Sequence, residues 1–248
     1  MTDRLSSARR VVERERRTCA DEREAFRAFR RRVGELTPAS IPATPRASIS
    51  DSPDAGTSLD RVREAYEDTV MAVPHYEREY GDGYAESLAA EFGGDVAAAV
   101  FGSRTLTPEL RDALTAAARS AQAEREEFLD LLDREAESVA VADAELDELF
   151  DDLRALDSTP LPERGFDELV ELRTALEHAE SRLDHVAARR QEALSDHRRA
   201  LPTLDVDVTD YLYGDFDSIY PVLATVAEFG DLVGTATRRV DRAIASTP

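Results

Sequence analysis

From Thr107 to Asp157 the chain reads TPELRDALTAAARSAQAEREEFLDLLDREAESVAVADAELDELFDDLRALD, and this run decides the fold. Thr107 stands where a helix cap belongs, Pro108 occupies the first helical position with its φ already set, and Glu109 lies on the positive end of the helix dipole. Apolar residues then recur at helical spacing through Leu110, Leu114, Ala117, Phe128, Leu132, Val139, Leu146, Leu149, Leu153 and Leu156. At 1.5 Å per residue such a helix is about 75 Å long, more than a globule of this mass needs.

The sequence around it repeats the pattern. Ser158-Thr159-Pro160-Leu161-Pro162 predicts a turn, and a second long helix follows through Phe166, Leu169, Leu176, Leu183, Ala187, Leu194 and Leu201 to Pro202. A short loop between two long helices favours antiparallel neighbours. Residues 108–201 are therefore expected to form an antiparallel helical hairpin. Upstream, Leu5, Ala8, Val12, Glu15, Cys19, Glu22, Phe26, Phe29, Val33 and Leu36 keep a seven-residue frame in which only the two glutamates are polar, so residues 1–36 read as a coiled-coil-like amphipathic helix.

Residues 37–56, rich in Pro, Ser, Thr and Ala, read as a linker. Residues 57–107 give short helices: one capped by Thr57 with Asp60 behind it and striped by Leu59, Val62, Tyr66, Val70 and Val73, then others around Gly81–Gly83 and Gly93–Gly94. Residues 202–220 form an irregular acidic connector, and residues 221–248 a last heptad helix through Val222, Val226, Phe229, Val233, Ala236, Val240 and Ile244. No alternating strand stands out. The expected fold is all-α: an elongated helical hairpin with a small helical head.

Composition narrows the function. The chain has 248 residues, a formal charge of −21, no Trp and an aromatic content of 6%. All 31 basic residues are Arg, set against 52 acids. At ordinary ionic strength, where the Debye length is about 8 Å, such a charge repels itself; in molar salt the length falls to about 3 Å and hydrated carboxylates keep the chain dissolved. The acidity therefore reads as halophilic, with high salt needed for solubility and folding. The N-terminus shows no apolar signal region, no run approaches a membrane span, and the single cysteine, Cys19, excludes an intramolecular disulfide, so a cytoplasmic protein is expected.

All seven tyrosines fall in two segments, Tyr66, Tyr76, Tyr80 and Tyr84 before the hairpin and Tyr211, Tyr213 and Tyr220 after it. A hairpin would bring both segments to its open base, which makes His75, Tyr76, Tyr80, Tyr84 and Tyr213 the candidate head pocket. A packed junction sealed by tyrosines explains the same pattern.

Several runs resemble an uncharacterised family of haloarchaeal proteins, a domain of unknown function. They are Arg61-Val62-Arg63-Glu64-Ala65-Tyr66, Thr69-Val70-Met71-Ala72-Val73-Pro74-His75-Tyr76, Leu88-Ala89-Ala90-Glu91-Phe92-Gly93, Leu106-Thr107-Pro108, Asp133-Arg134-Glu135-Ala136-Glu137-Ser138 and Tyr220-Pro221-Val222-Leu223. The resemblance covers about residues 57–225 and leaves 1–56 largely outside. It implies a helical fold and an archaeal halophile, and it supplies no catalytic residue.

Enzymatic motifs are scarce. Di-iron bundles need Glu-x-x-His on one helix face, but the residues three before His75, His178, His185 and His197 are Ala72, Ala175, Arg182 and Leu194. Asp205-Val206-Asp207-Val208-Thr209-Asp210 lacks the third acid, the glycine and the closing glutamate of a calcium loop. No P-loop or Rossmann pattern and no Ser-His-acid set occurs, and Cys19 lies on an apolar seam. No catalytic, metal or cofactor residue is assigned.

Residues 1–36 carry 11 Arg and 7 acids, leaving 20 Arg against 45 acids elsewhere. A basic amphipathic helix suits DNA, yet molar salt removes most phosphate affinity, so packing against an acidic neighbour is the simpler expectation and nucleic acid is not the expected partner. The leading expectation is a non-enzymatic module that associates with itself or with a protein partner through helical seams. A DNA-associated regulator, and a small-ligand or metal-binding enzyme at the tyrosine-rich head, are the alternatives.

Overall fold

A computed structural model describes residues 2–39, 58–156, 159–200 and 207–246. The described chain is all-helical, with no strand. Its elements are α1 (Thr2–Glu35), α2 (Ser58–Glu67), α3 (Tyr76–Glu79), α4 (Tyr84–Phe92), α5 (Gly94–Gly102), α6 (Pro108–Leu156), a 3-10 turn (Leu161–Glu163), α7 (Phe166–Ala200), α8 (Val208–Tyr213) and α9 (Pro221–Ser246). Most of the Pro/Ser/Thr-rich linker at 37–56, the Thr57 cap, Ser158, Leu201 and Asp205 lie outside the described residues. No helix among the described residues is long and apolar enough to cross a membrane.

The chain divides into two compact units, Met1–Glu15 with Leu131–Pro248, and Arg16–Asp130. The core of the Arg16–Asp130 unit is aromatic. Phe29 meets Tyr66 edge to face at 5.2 Å, and Phe26 and Phe92 close the cluster with Val33, Val62, Leu88, Leu106 and Leu114. Thr107 does cap α6: its Oγ1 accepts from the Leu110 amide at 3.2 Å. The helix striped by Tyr66, Val70 and Val73 stops at Glu67, before the expected Pro74 break. The amides of Thr69, Val70 and Met71 all turn back onto the Tyr66 carbonyl, and the Thr69 hydroxyl donates to Ala65 O at 2.6 Å, which ends the regular ladder. Gly93 separates α4 from α5 with φ 84°; a Cβ there would meet nothing within 4 Å, so it is the backbone angle that calls for glycine.

In the other unit the seam of α1 (Leu5, Ala8 and Val12) is buried, as are Leu132, Val139, Leu146 and Leu149 on α6 and Leu169, Leu176, Leu183 and Leu194 on α7. Val222, Phe229, Val233 and Val240 of α9 join them. Ion pairs lace the elements together. Arg182 of α7 reaches Asp152 of α6 at 2.6 Å, Arg189 reaches Glu145, and Arg173 donates to Asp241 of α9 at 2.8 Å. Phe166, expected on the α7 seam, is 51% exposed instead, at the first residue of the helix.

The basic α1 finds acids of its own chain. Arg4 pairs with Glu228 at 2.7 Å and Arg9 with Asp143 at 3.0 Å in one unit, and Arg32 with Asp68 at 3.0 Å in the other.

Candidate functional site

Two of the expected head residues, His75 and Tyr80, meet at a residue the sequence offered only as a break in a stripe. Glu22 lies on the apolar face of α1, three residues after Cys19 and four before Phe26, so helical spacing turns its carboxylate inward. Its Oε1 accepts from the Tyr80 hydroxyl at 2.6 Å and faces Nε2 of the buried His75 at 3.1 Å. Its Oε2 accepts from Arg125 Nε at 3.1 Å. Arg125, on α6, donates onward from Nη2 to Glu91 Oε1 on α4 at 2.8 Å, and its guanidinium lies 4.9 Å from the centre of the Phe26 ring.

Two carboxylates thus share one guanidinium, with a phenol and an imidazole on the first of them. Burial pulls Arg125 down, but Glu91 and Glu22 outweigh it and hold the group above its ordinary value. Burial pushes Glu91 up, against the pull of Arg125. Burial also pushes Tyr80 up, and its hydrogen bond to Glu22 adds to the effect, so Tyr80 serves as a donor.

The adjoining cavity, lined by Glu22, Phe26, Tyr76, Tyr80 and Glu91 among others, holds about 70 Å³. Pockets for small molecules run to roughly 300–1,000 Å³, so this one suits a few waters and not a substrate. Tyr76 turns its hydroxyl to Asp82 O at 3.1 Å. Tyr84 packs edge to face on Tyr66 and Phe101, its hydroxyl is buried without a hydrogen-bond partner among the described residues, and burial pushes it up to about 12.

Tyr213 belongs to the other unit and to a second cluster. There Arg190 of α7 grips Glu135 of α6 with two hydrogen bonds of 2.7 Å, both side chains being 1% exposed. Tyr213 of α8 donates to Glu135 Oε1 at 2.6 Å, Ser138 Oγ accepts from Arg190 Nη1 at 3.0 Å, and His197 Nδ1 stands 3.5 Å from Glu135 Oε2. Burial lowers His197, with Glu135 pulling the other way. Burial and the neighbouring Glu135 raise Tyr213. Arg190 Nε is buried without a partner among the described residues.

Asp207, part of the weak calcium-loop pattern, is the cap of α8: it accepts from the Thr209 amide at 2.9 Å. Among the described residues no group of three or more His, Cys, Asp or Glu side chains is placed to hold a metal.

Glu22, Arg125, Glu91, Glu135, Arg190 and His197 were not singled out from the sequence as site residues. The signal available was a charged residue at a seam position. Arg190 and His197 fall in step with Leu183, Val186 and Leu194 on α7, and Glu135 with Leu132 and Val139 on α6.

No curated protein and no solved structure matches the chain. A family model does match, and it reaches back through α1, beyond the part that the resembling runs cover. That model is described as domain of unknown function DUF7260; it matches residues 3–237, and the chain belongs to this family.

Proposed function

We propose that the chain is a non-enzymatic helical interaction module that assembles, with itself or with a protein partner, in a concentrated salt medium. One observation carries the reading. On a chain dominated by acids, Phe166 and Val170 stand exposed one turn apart at the start of α7, an apolar pair available to a covering surface. The polar clusters support it from the other side, since Glu22, Arg125 and Glu91, like Glu135 and Arg190, engage one another.

The frame we infer is an antiparallel hairpin of α6 and α7. Three ion pairs support it: as the α6 partner moves from Glu135 to Glu145 to Asp152, the α7 partner steps back from Arg190 to Arg189 to Arg182. Arg4, Arg9 and Arg32 are spent on acids of the same chain, which favours packing over a DNA contact for α1. The net charge of −21 supports the salt requirement.

Light scattering of the full chain in about 3 M KCl, where the Debye length is below about 3 Å, tests the assembly. A mass above that of one chain is expected, reduced by Phe166→Glu with Val170→Glu. If the unmodified chain is monomeric at high concentration and retains no protein partner in that salt, the reading fails.

A further inference from the structure

A second cavity is lined by the end of α6, the turn after it, and α7 and α9. It measures about 600 Å³, within the range of small-molecule pockets. Its walls are mostly aliphatic and aromatic. Phe150 of α6 packs edge to face on Phe229 of α9 with ring centres 6.0 Å apart, and Leu232 on the next turn of α9 is 54% exposed at the rim.

The charged residues of that lining depart from the rest of the chain. Acids outnumber arginines 52 to 31 overall, yet among the described residues that line this cavity there is no acid and there are three arginines, Arg154, Arg164 and Arg239. Arg154 and Arg239 have no ion pair or hydrogen bond among the described residues. Arg164 is held in place by backbone carbonyls, donating from Nε to Thr159 O at 2.9 Å and from Nη2 to Leu156 O. Carbonyls orient a guanidinium without neutralising it, so three positive charges face one apolar hollow. An uncharged ligand would leave them unanswered, and a soluble anion would leave the apolar wall bare.

We propose that this cavity binds an anionic amphiphile, a small molecule with an apolar body and a single carboxylate-type head, the body against Phe150, Phe229 and Leu232 and the head among Arg154, Arg164 and Arg239. This goes beyond the interaction-module reading and does not rest on it, since Phe166 and Val170 do not line the cavity.

The test titrates the full chain with dansyl-undecanoate below its micelle concentration, follows the fluorescence, and then displaces the probe with decanoate or with decanol. Saturable binding of one probe per chain is expected. Decanoate should compete at least about tenfold better than decanol, the worth of roughly one charge-assisted contact. Arg154→Gln with Arg239→Gln should weaken decanoate by about tenfold and leave decanol unchanged. Leu232→Glu, a change at an exposed site, should abolish both, with circular dichroism melts confirming that each variant folds.

Absence of saturable probe binding, equal competition by decanol and decanoate, or full binding by Leu232→Glu would each overturn the proposal. A chain that binds decanoate but scatters light as a monomer keeps this site and loses the assembly. A chain that assembles without binding the probe does the reverse.

Discussion

Replacing Arg190 by Met should be among the most damaging single changes in the molecule. The guanidinium and the Glu135 carboxylate are each 1% exposed and joined by two hydrogen bonds of 2.7 Å, so removing one partner leaves a charge in a space from which water is excluded. Breaking a buried pair in this way costs about 3–5 kcal/mol, and the Tyr213 hydroxyl, still donating to Glu135 Oε1 at 2.6 Å, places the loss near the lower end of that range. Removing Glu135 as well, as Arg190→Met with Glu135→Leu, should recover most of the loss, because apolar side chains of similar volume can replace such a pair at little or no cost.

Urea unfolding at fixed salt and pH, followed by circular dichroism, measures both effects. A single variant within about 1 kcal/mol of the unmodified chain, or a double variant no more stable than the single, would refute the reasoning.

Other changes separate stabilising groups from idle ones. Phe29→Ala empties a fully buried site between Tyr66 and Phe92 and should cost about 3–5 kcal/mol in the same urea assay. Tyr84→Phe removes a buried hydroxyl without a partner, so it should be neutral or stabilising by up to about 1 kcal/mol; a loss of stability would reveal a bond that the geometry lacks. The His197 pKa is lowered by burial, so its neutral form is the folded one: its contribution is complete above about pH 6.5 and declines as pH falls from there towards the lowered value. Replacing it with Gln should flatten that limb of the stability curve, and an unchanged pH dependence would remove the role given to burial.

The heptad frame made the seams legible. Leu5, Ala8, Val12, Cys19, Phe26, Phe29 and Val33 are all buried, because a periodic apolar stripe has one way to leave water. Thr107 and Pro108 marked the start of α6 for a similarly local reason. The end of α2 at Glu67 was less legible, since it depends on the Thr69 side chain competing for a carbonyl. Of the head residues, His75 and Tyr80 do share a partner, but Glu22 is supplied by α1, more than fifty residues upstream, and no local pattern connects them.

The two polar interruptions of the α1 seam show why periodicity reaches the fold sooner than the site. Glu15 accepts from the Tyr211 hydroxyl at 2.6 Å, and Glu22 from Tyr80 and Arg125. A leucine at either position would complete the stripe and add apolar burial worth roughly 1.5–3 kcal/mol. The carboxylates forgo that gain and in return accept one partner set each: Glu22 is satisfied only when Arg125, Tyr80 and His75 arrive together, whereas a leucine would accept any apolar neighbour. The seam drives association and its polar breaks fix the register, so Glu22→Leu should preserve the helix content of the chain while reducing the sharpness of unfolding in urea. An unchanged urea slope together with raised stability would show that the apolar stripe alone specifies the pairing.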